Sequence, residues 1–331
     1  VDFEYSDQNY KRNFFGSSVL TNFMNDKLQI GLSYFREGDD ENNPIDFTFS
    51  ENDKKILQQA GDNRGAAVRS GVSLAQPDST GRILGVYSKI DTTINSQPFS
   101  YYLYSPGAIN SIYNVTFSYV SEGFGDYIKE SLGKYKFAGI NKGAYSPIVF
   151  LPMPELKQVG SLNLTSVPIK GIKLNIELAG SSWDKNRLSN LDDGNNMGYA
   201  RKIILDIEPV EIKIGNINLG RVGINLKDRF IESKFSSLDR IDAVEFNRFY
   251  NLNNAPVSDQ ILREASLNYS PVKELSINSK YGYLKQSENF NSNRFYNEIN
   301  YDDDKKNHLD YVLDYVGTVN NSTKTNWNRQ N

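Results

Sequence analysis

The residues best suited to chemistry in this 331-residue sequence are clustered acids and amides. Asp192, Asp193, Asn195 and Asn196 surround Gly194 and offer hard oxygen ligands in close succession, the donor type that calcium prefers. Their spacing is not that of the twelve-residue EF-hand loop, and a solvated turn has the same composition. Asp302, Asp303 and Asp304 form a second acidic run, and Asp39, Asp40 and Glu41 a third. Consecutive carboxylates repel and diverge without an ion between them, so the metal content is left unknown. Glu177 and Asp206 fall in stretches that read as strands and could face one another as a glycosidase acid pair. Spacing along the chain does not establish that geometry.

The remaining catalytic templates lack their parts. There is no cysteine, which removes disulfides, thiolate metal sites and cysteine nucleophiles. The single histidine, His308, excludes a multi-histidine zinc site and leaves little for a Ser-His-Asp triad. No Gly-x-Ser-x-Gly elbow is present, and Gly133, Gly139 and Gly143 lack the lysine of a phosphate loop. The expectation is a non-enzyme without cofactor. Trp183, with Asp184 and Asn186 beside it, has the makings of a sugar-stacking platform and makes glycan a possible ligand.

The elements that would position these groups are strands. Lys plus Arg number 37 and Asp plus Glu 40, a net charge of -3 that gives no reason to expect nucleic acid. Tyr (21) and Phe (18) far outnumber Trp (2), in keeping with sheet and interface positions. In Gly171 to Leu178 the residues Ile172, Leu174, Ile176 and Leu178 alternate with Lys173, Asn175 and Glu177, the signature of a half-buried strand. The rhythm returns in Glu211 to Leu219 and through Val222, Ile224 and Leu226. Upstream, Asn25-Asp26-Lys27 predicts a hairpin turn followed by a strand to about Phe35, and Ser50 to Gly61 a short helix capped by Ser50 and Asp53. Ser121 to Pro154, rich in Gly, Tyr and Pro, reads as a long excursion of short extended pieces. Leu238, Ile241, Val244 and Phe249 predict a second helix over Ser237 to Asn251, broken by Asn253 to Pro256, and Leu309 to Val316 a last strand before a polar tail.

Four connections are alike: Asn25 to Leu28, Val167 to Lys170, Glu208 to Glu211 and Ser270 to Lys273, three of them with proline. The reverse connections, Arg36 to Gly61, Gly180 to Tyr199 and Leu284 to Leu309, read as long and polar. Tight turns at one end and long wet loops at the other are the asymmetry of an outer-membrane β-barrel. The alternative is a soluble β-sandwich or large curved sheet, since alternation demands only one apolar face. No stretch has the roughly 18 apolar residues of a spanning helix, so any membrane crossing would be by strands.

Ser-Pro-Val-Lys-Glu-Leu-Ser-Ile-Asn at 270–278 and Val-Pro-Ile-Lys-Gly-Ile-Lys-Leu-Asn at 167–175 resemble the periplasmic turns of large Gram-negative outer-membrane β-barrel proteins. Members of that class end on an aromatic residue, whereas this chain ends Trp327-Asn328-Arg329-Gln330-Asn331, so it reads as a fragment or as a likeness that misleads. The resemblance implies a location at the bacterial outer membrane or cell surface, partners in the lipid bilayer or among other envelope proteins, and a structural or transport role. The expected fold is an all-β antiparallel meander over 1–331, forming a barrel or barrel segment with long polar loops and one or two short helices, with the excursion at 121–154. The alternative function is a soluble extracellular module that binds glycan or protein.

Overall fold

A computed structural model describes residues 12–42, 47–94, 96–252, 257–303 and 307–330. The chain begins with a hairpin, β1 (Arg12–Phe23) and β2 (Leu28–Asp39), followed by helix α1 (Glu51–Ala60). Ten short strands come next: β3 (Val68–Ser70), β4 (Val72–Leu74), β5 (Tyr87–Ile94), β6 (Gln97–Tyr104), β7 (Tyr113–Val115), β8 (Ser118–Tyr119), β9 (Tyr127–Ser131), β10 (Lys134–Phe137), β11 (Tyr145–Ser146) and β12 (Ile148–Phe150). Long strands then resume: β13 (Leu156–Ile169), β14 (Ile172–Asp184), β15 (Met197–Ile214) and β16 (Ile217–Ile231). A single-turn helix α2 (Phe246–Phe249) precedes β17 (Gln260–Val272), β18 (Leu275–Gln286), β19 (Phe290–Asp302), β20 (His308–Asn320) and β21 (Thr323–Gln330).

The long strands form one eleven-stranded sheet in the order β1-β2-β13-β14-β15-β16-β17-β18-β19-β20-β21, antiparallel throughout. Among the described residues its outermost strands β1 and β21 pair with β2 and β20 and not with one another, so the sheet does not close into a barrel. This corrects the expected barrel and with it the likeness to outer-membrane barrel proteins. The periodicity was a true signal of strands with one apolar face, but closure requires the first and last strands to meet, and period-two alternation carries no information about that.

Local chemistry explains several bounds. Prolines 168, 209 and 271 each lie within an interruption of the ladder, between Ser166 and Ile169, Ile207 and Val210, and Tyr269 and Val272. A residue without an N–H is tolerated where a bulge leaves a position unpaired. Glu208 to Glu211 is therefore not a turn, because β15 bulges and continues to Ile214, and the chain reverses at Gly215, where φ is +59°. The supposed loop from Leu284 to Leu309 contains all of β19, and the polar tail after Val316 is the end of β20 and the whole of β21. Both were hidden because their outward residues are Asn, Thr and Lys instead of apolar groups. The predicted helix over 237–251 shrinks to α2; its apolar residues are spread over an irregular strap that lies on the sheet. The break at 253–256 and Asp304 are outside the described residues.

The excursion proves longer than its Gly/Tyr/Pro-rich part, since β2 pairs directly with β13 and everything between Asp39 and Leu156 leaves the sheet and returns. A reciprocal clasp marks the gate: Asp39 N donates to Glu155 O (2.9 Å), and Glu155 N donates to Asp39 Oδ2 (3.0 Å). Inside the excursion, antiparallel sheets β4-β7-β5-β6 and β10-β9-β11-β8 enclose an aromatic cluster. Phe117 lies 4.6 Å from Tyr127 and 4.4 Å from Tyr135 between ring centroids. Burial pushes the Tyr127 hydroxyl up to about 12 even though it accepts from Tyr102 N. Gly125 and Gly143 pair with one another across a bridge, and a Cβ on either would strike the backbone of Tyr145 or Tyr127 at under 2.6 Å. That close approach, and not turn geometry, explains these two glycines.

Helix α1 is built as its sequence predicts. Asp53 N donates to Ser50 Oγ (3.2 Å), and Ser50 N donates to Asp53 Oδ2 (3.0 Å), completing a capping box. At the other end Asn186 Nδ2 donates to Leu57 O (2.8 Å) and Gly61 O (2.7 Å), closing helical carbonyls that have no partner of their own. Asn186 is 1% exposed, so Asn186→Ala leaves those carbonyls unsatisfied. The variant is expected to lose about 1–3 kcal/mol, read as a lower midpoint in urea denaturation, with α1 amides exchanging first.

Candidate functional site

The pairing register sorts every side chain of the large sheet onto one of two faces. On the first, Leu174, Leu205, Leu226, Ala265, Tyr281, Phe295 and Tyr315 are successive cross-strand partners and form one apolar row. Along this face Val19, Leu32, Leu178, Tyr199, Leu226, Leu267, Tyr281, Phe295 and Tyr315 are all exposed. An apolar face of this breadth is far more than the scattered apolar residues of an ordinary surface.

Its best-formed feature is a groove of about 660 Å³ close to the β1 edge. Tyr34, Gly160, Gly180 and Tyr199 are consecutive partners across β2, β13, β14 and β15, so two glycines form a floor between two tyrosine walls. A Cβ built on Gly160 or Gly180 meets nothing within 4 Å, which means the missing side chains are the groove. Val19, Leu32 and Leu178 add apolar lining. The walls are held: Tyr34 donates its hydroxyl to Gln158 Oε1 (2.6 Å), and the Tyr199 ring lies 5.1 Å from that of Phe230. Arg201, at the rim, shares Asp228 with Arg263 at 3.5 and 3.1 Å, two cations to one carboxylate. The groove is thus apolar within and positive at one side.

The second face is polar and supports the first. Glu264 receives Tyr250 Oη (2.6 Å), Lys280 Nζ (2.9 Å) and Lys227 Nζ (3.1 Å). Burial raises its carboxyl, but the hydrogen bonds from Tyr250 and Lys280 and the charges of Lys227 and Lys280 outweigh it and hold the group at about 2. Burial and the adjoining Glu264 charge push the Tyr250 hydroxyl well above its usual value. Room for Tyr250 comes from Gly282, where a Cβ would lie 2.2 Å from its hydroxyl. Arg294 forms a bidentate pair with Asp314 (2.8 and 2.9 Å) beneath the Phe249 ring, whose centroid is 4.0 Å from the guanidinium carbon. Phe246 and Tyr250 of the strap pack with Leu262, Leu284 and Phe290.

Against this frame the residues singled out by sequence fall into structural roles. Glu177 pairs with Lys202, and Asp206 accepts from Asn225. They share the polar face but lie four positions apart along the ladder, Glu177 opposite Lys202 and Asp206 opposite Lys173, so they do not face one another. Trp183 Nε1 donates to Glu155 Oε2 (3.0 Å), while Lys157 and Lys185 each stand 5.3 Å from its ring. Two ammonium groups thus stand on the ring, and Asn186 is engaged with α1. Asp184 beside them is raised by burial, despite a bond from Asn186 N.

The acidic runs are also engaged. Asp193 accepts from Asn196 Nδ2 (3.1 Å), Asp303 accepts from Asn307 N (3.0 Å) and Nδ2 (2.8 Å), and Glu41 pairs with Arg187 (2.7 Å). Among the described residues no group of three or more His, Asp or Glu is arranged to hold a metal. His308 stands exposed between Asp302 and Asp310. The groove and the Glu264 and Arg294 centres were missed because each joins residues distant in sequence; only matched polar positions in successive strands hinted at the second face.

The chain matches no protein-family model and no curated protein. Among the described residues no helix is long and apolar enough to cross a membrane. The expected outer-membrane location, bilayer and envelope partners, and structural or transport role rested on a barrel or barrel segment, and among the described residues β1 and β21 do not pair with one another to close one.

Because Glu264 is depressed in the folded protein, its contribution is complete above the unfolded carboxyl value near 4.3 and vanishes as pH falls through about 2. Stability measured by urea denaturation is expected to decline between about pH 5 and 2, with Glu264 supplying on the order of 3 kcal/mol. Glu264→Gln should be less stable at neutral pH but show a shallower acid decline; an unchanged slope contradicts the assignment.

Proposed function

We propose that this chain is a non-enzymatic protein-binding β module that receives an extended segment of a partner protein along β1. The observation that carries the proposal is the continuity of an open strand edge with the glycine-floored groove. All twelve residues of β1 are exposed, and its sequence from Asn13 to Phe23 has no charge. Natural edge strands are usually blunted by lysine, proline or bulges. The opposite edge, β21, carries Lys324 and Arg329, whereas β1 offers Phe14, Phe15, Val19, Leu20 and Phe23 beside a ladder that is regular along its whole length. Strand addition supplies affinity through main-chain hydrogen bonds and specificity through pockets for alternate side chains. The groove opens onto this edge at Ser17 and Val19 of β1, so alternate side chains of an added strand on that face meet its apolar mouth, while Tyr199 and Arg201 lie several strands further in. The partner segment is therefore an extended strand with apolar or aromatic side chains at alternate positions.

The mouth of the groove at Ser17 and Val19 is exposed, so substitutions there test this without disturbing the fold. The probe is a synthetic peptide of alternating valine and threonine with one valine replaced by Phe. It is expected to protect β1 amides from hydrogen exchange, and Ser17→Lys and Val19→Lys should each weaken binding at least tenfold. Binding that ignores both substitutions, or leaves β1 exchange unchanged, defeats the proposal. So does concentration-dependent protection of β1 by the chain alone, which would mean that a second copy occupies the edge.

A further inference from the structure

The interior of the groove lies beyond the reach of a strand added at β1, since Gly180 is three strands in from that edge. Its volume of about 660 Å³ is that of a small-molecule site, for which roughly 300–1,000 Å³ is ordinary. Neighbouring strands stand about 4.8 Å apart, so Tyr34 and Tyr199, with Gly160 and Gly180 between them, are about 14 Å apart along their row. Less the half-thickness of the two walls, that leaves room for one or two fused rings laid against the glycines. The neighbouring row, Leu32, Leu162 and Leu178, closes one side of the slot, and Arg201 ends that row beside Tyr199.

Arg201 is the group in this lining with donors to spare. Its side chain is 50% exposed and so open to a ligand. Asp228 is committed to Arg263, whose Nε donates to it at 3.1 Å, whereas Arg201 approaches the same carboxylate only to 3.5 Å and makes no hydrogen bond among the described residues. Glu232, just past β16, is turned onto Tyr199 N (3.0 Å). An accessible guanidinium with unused N–H groups is matched by a carboxylate, which can take two parallel hydrogen bonds from it. We infer that the groove binds a small, flat ring compound carrying one carboxylate, its rings on the floor of Gly160 and Gly180 between Tyr34 and Tyr199 and its carboxylate on Arg201. This site goes beyond the edge-binding role and does not depend on it.

2-Naphthoate, 2-naphthamide and acetate separate the requirements, because the second lacks the charge and the third lacks the rings. Titration is followed on the backbone amide resonances of Gly160 and Gly180 and on the side-chain Nε–H resonance of Arg201 in the intact chain. 2-Naphthoate is expected to bind saturably, move all three resonances and bind at least tenfold tighter than either of the others. Gly180→Leu fills the floor at a position where the space is open and φ is not positive, and should abolish binding. Arg201→Gln is the independent variant, since Asp228 keeps Arg263 as its partner, and should bring 2-naphthoate down to the affinity of 2-naphthamide. The proposal is overturned if 2-naphthoate does not saturate, if the glycine amides or the Arg201 resonance stay still, if 2-naphthamide or acetate binds as tightly, or if binding is unchanged in Gly180→Leu or in Arg201→Gln.

Discussion

Cross-strand register is the constraint on which the molecule depends. Once Leu174, Leu205 and Leu226 are partners, every second residue of each strand is committed to the same face, and a slip by one position would exchange the faces completely. A continuous apolar row therefore runs across one side, from Leu174 to Tyr315. Glu264 and Arg294 lie on the other, where buried charges must be answered by partners. Glu264 is answered by Lys227, Lys280 and Tyr250, and Arg294 by Asp314. A buried carboxylate so fully engaged is tolerated because its remaining lone pairs are occupied. Register thus generates both the groove and the charged network.

The two departures from the meander complete the polar side and the sheet end. The strap between β16 and β17 brings Phe246, Phe249 and Tyr250 onto the charged face, covering Leu262 and Leu284 and stacking on Arg229 and Arg294. The insertion between β2 and β13 leaves and returns through the Asp39–Glu155 clasp, so the ladder on either side of it is uninterrupted. Its first helix is fastened to the main sheet by Asn186, just beyond β14. No corresponding cover lies on the apolar face among the described residues, and this difference is what leaves that face exposed.

Glycine has three distinct uses here, and they bear on function differently. At Gly215 it supplies a positive φ for a reversal, and at Gly282 it admits Tyr250 to the charged network. At Gly160 and Gly180 it does neither, for the space above these residues is empty. Gly in a strand costs about 0.5–1 kcal/mol relative to a residue with a side chain, and at these two positions no local geometry demands it. The groove is the one structural consequence of their presence.

Much of the strand content could be read from the chain alone. Alternation located β14 and parts of β16 and β17 but ran Glu211 to Leu219 together across the reversal at Gly215, and capping chemistry located α1, since both are short-range rules that each segment obeys by itself. Polar strands such as β21 escaped, because Asn and Thr on both faces erase the period. Prolines 168, 209 and 271 announced interruptions in the ladder, but whether each meant a turn or a bulge depended on the partner strand. The open edges, the pairing of β2 with β13 across the insertion, and the meeting of Tyr34 with Tyr199 across two glycines were beyond any local reading. Period-two patterning determined that each strand has an apolar face and a polar face; which strands meet, and hence whether the sheet closes and what its faces hold, was decided only by tertiary structure, because backbone hydrogen bonds between strands are the same for every sequence and the choice among pairings rests on contacts between residues far apart in the chain.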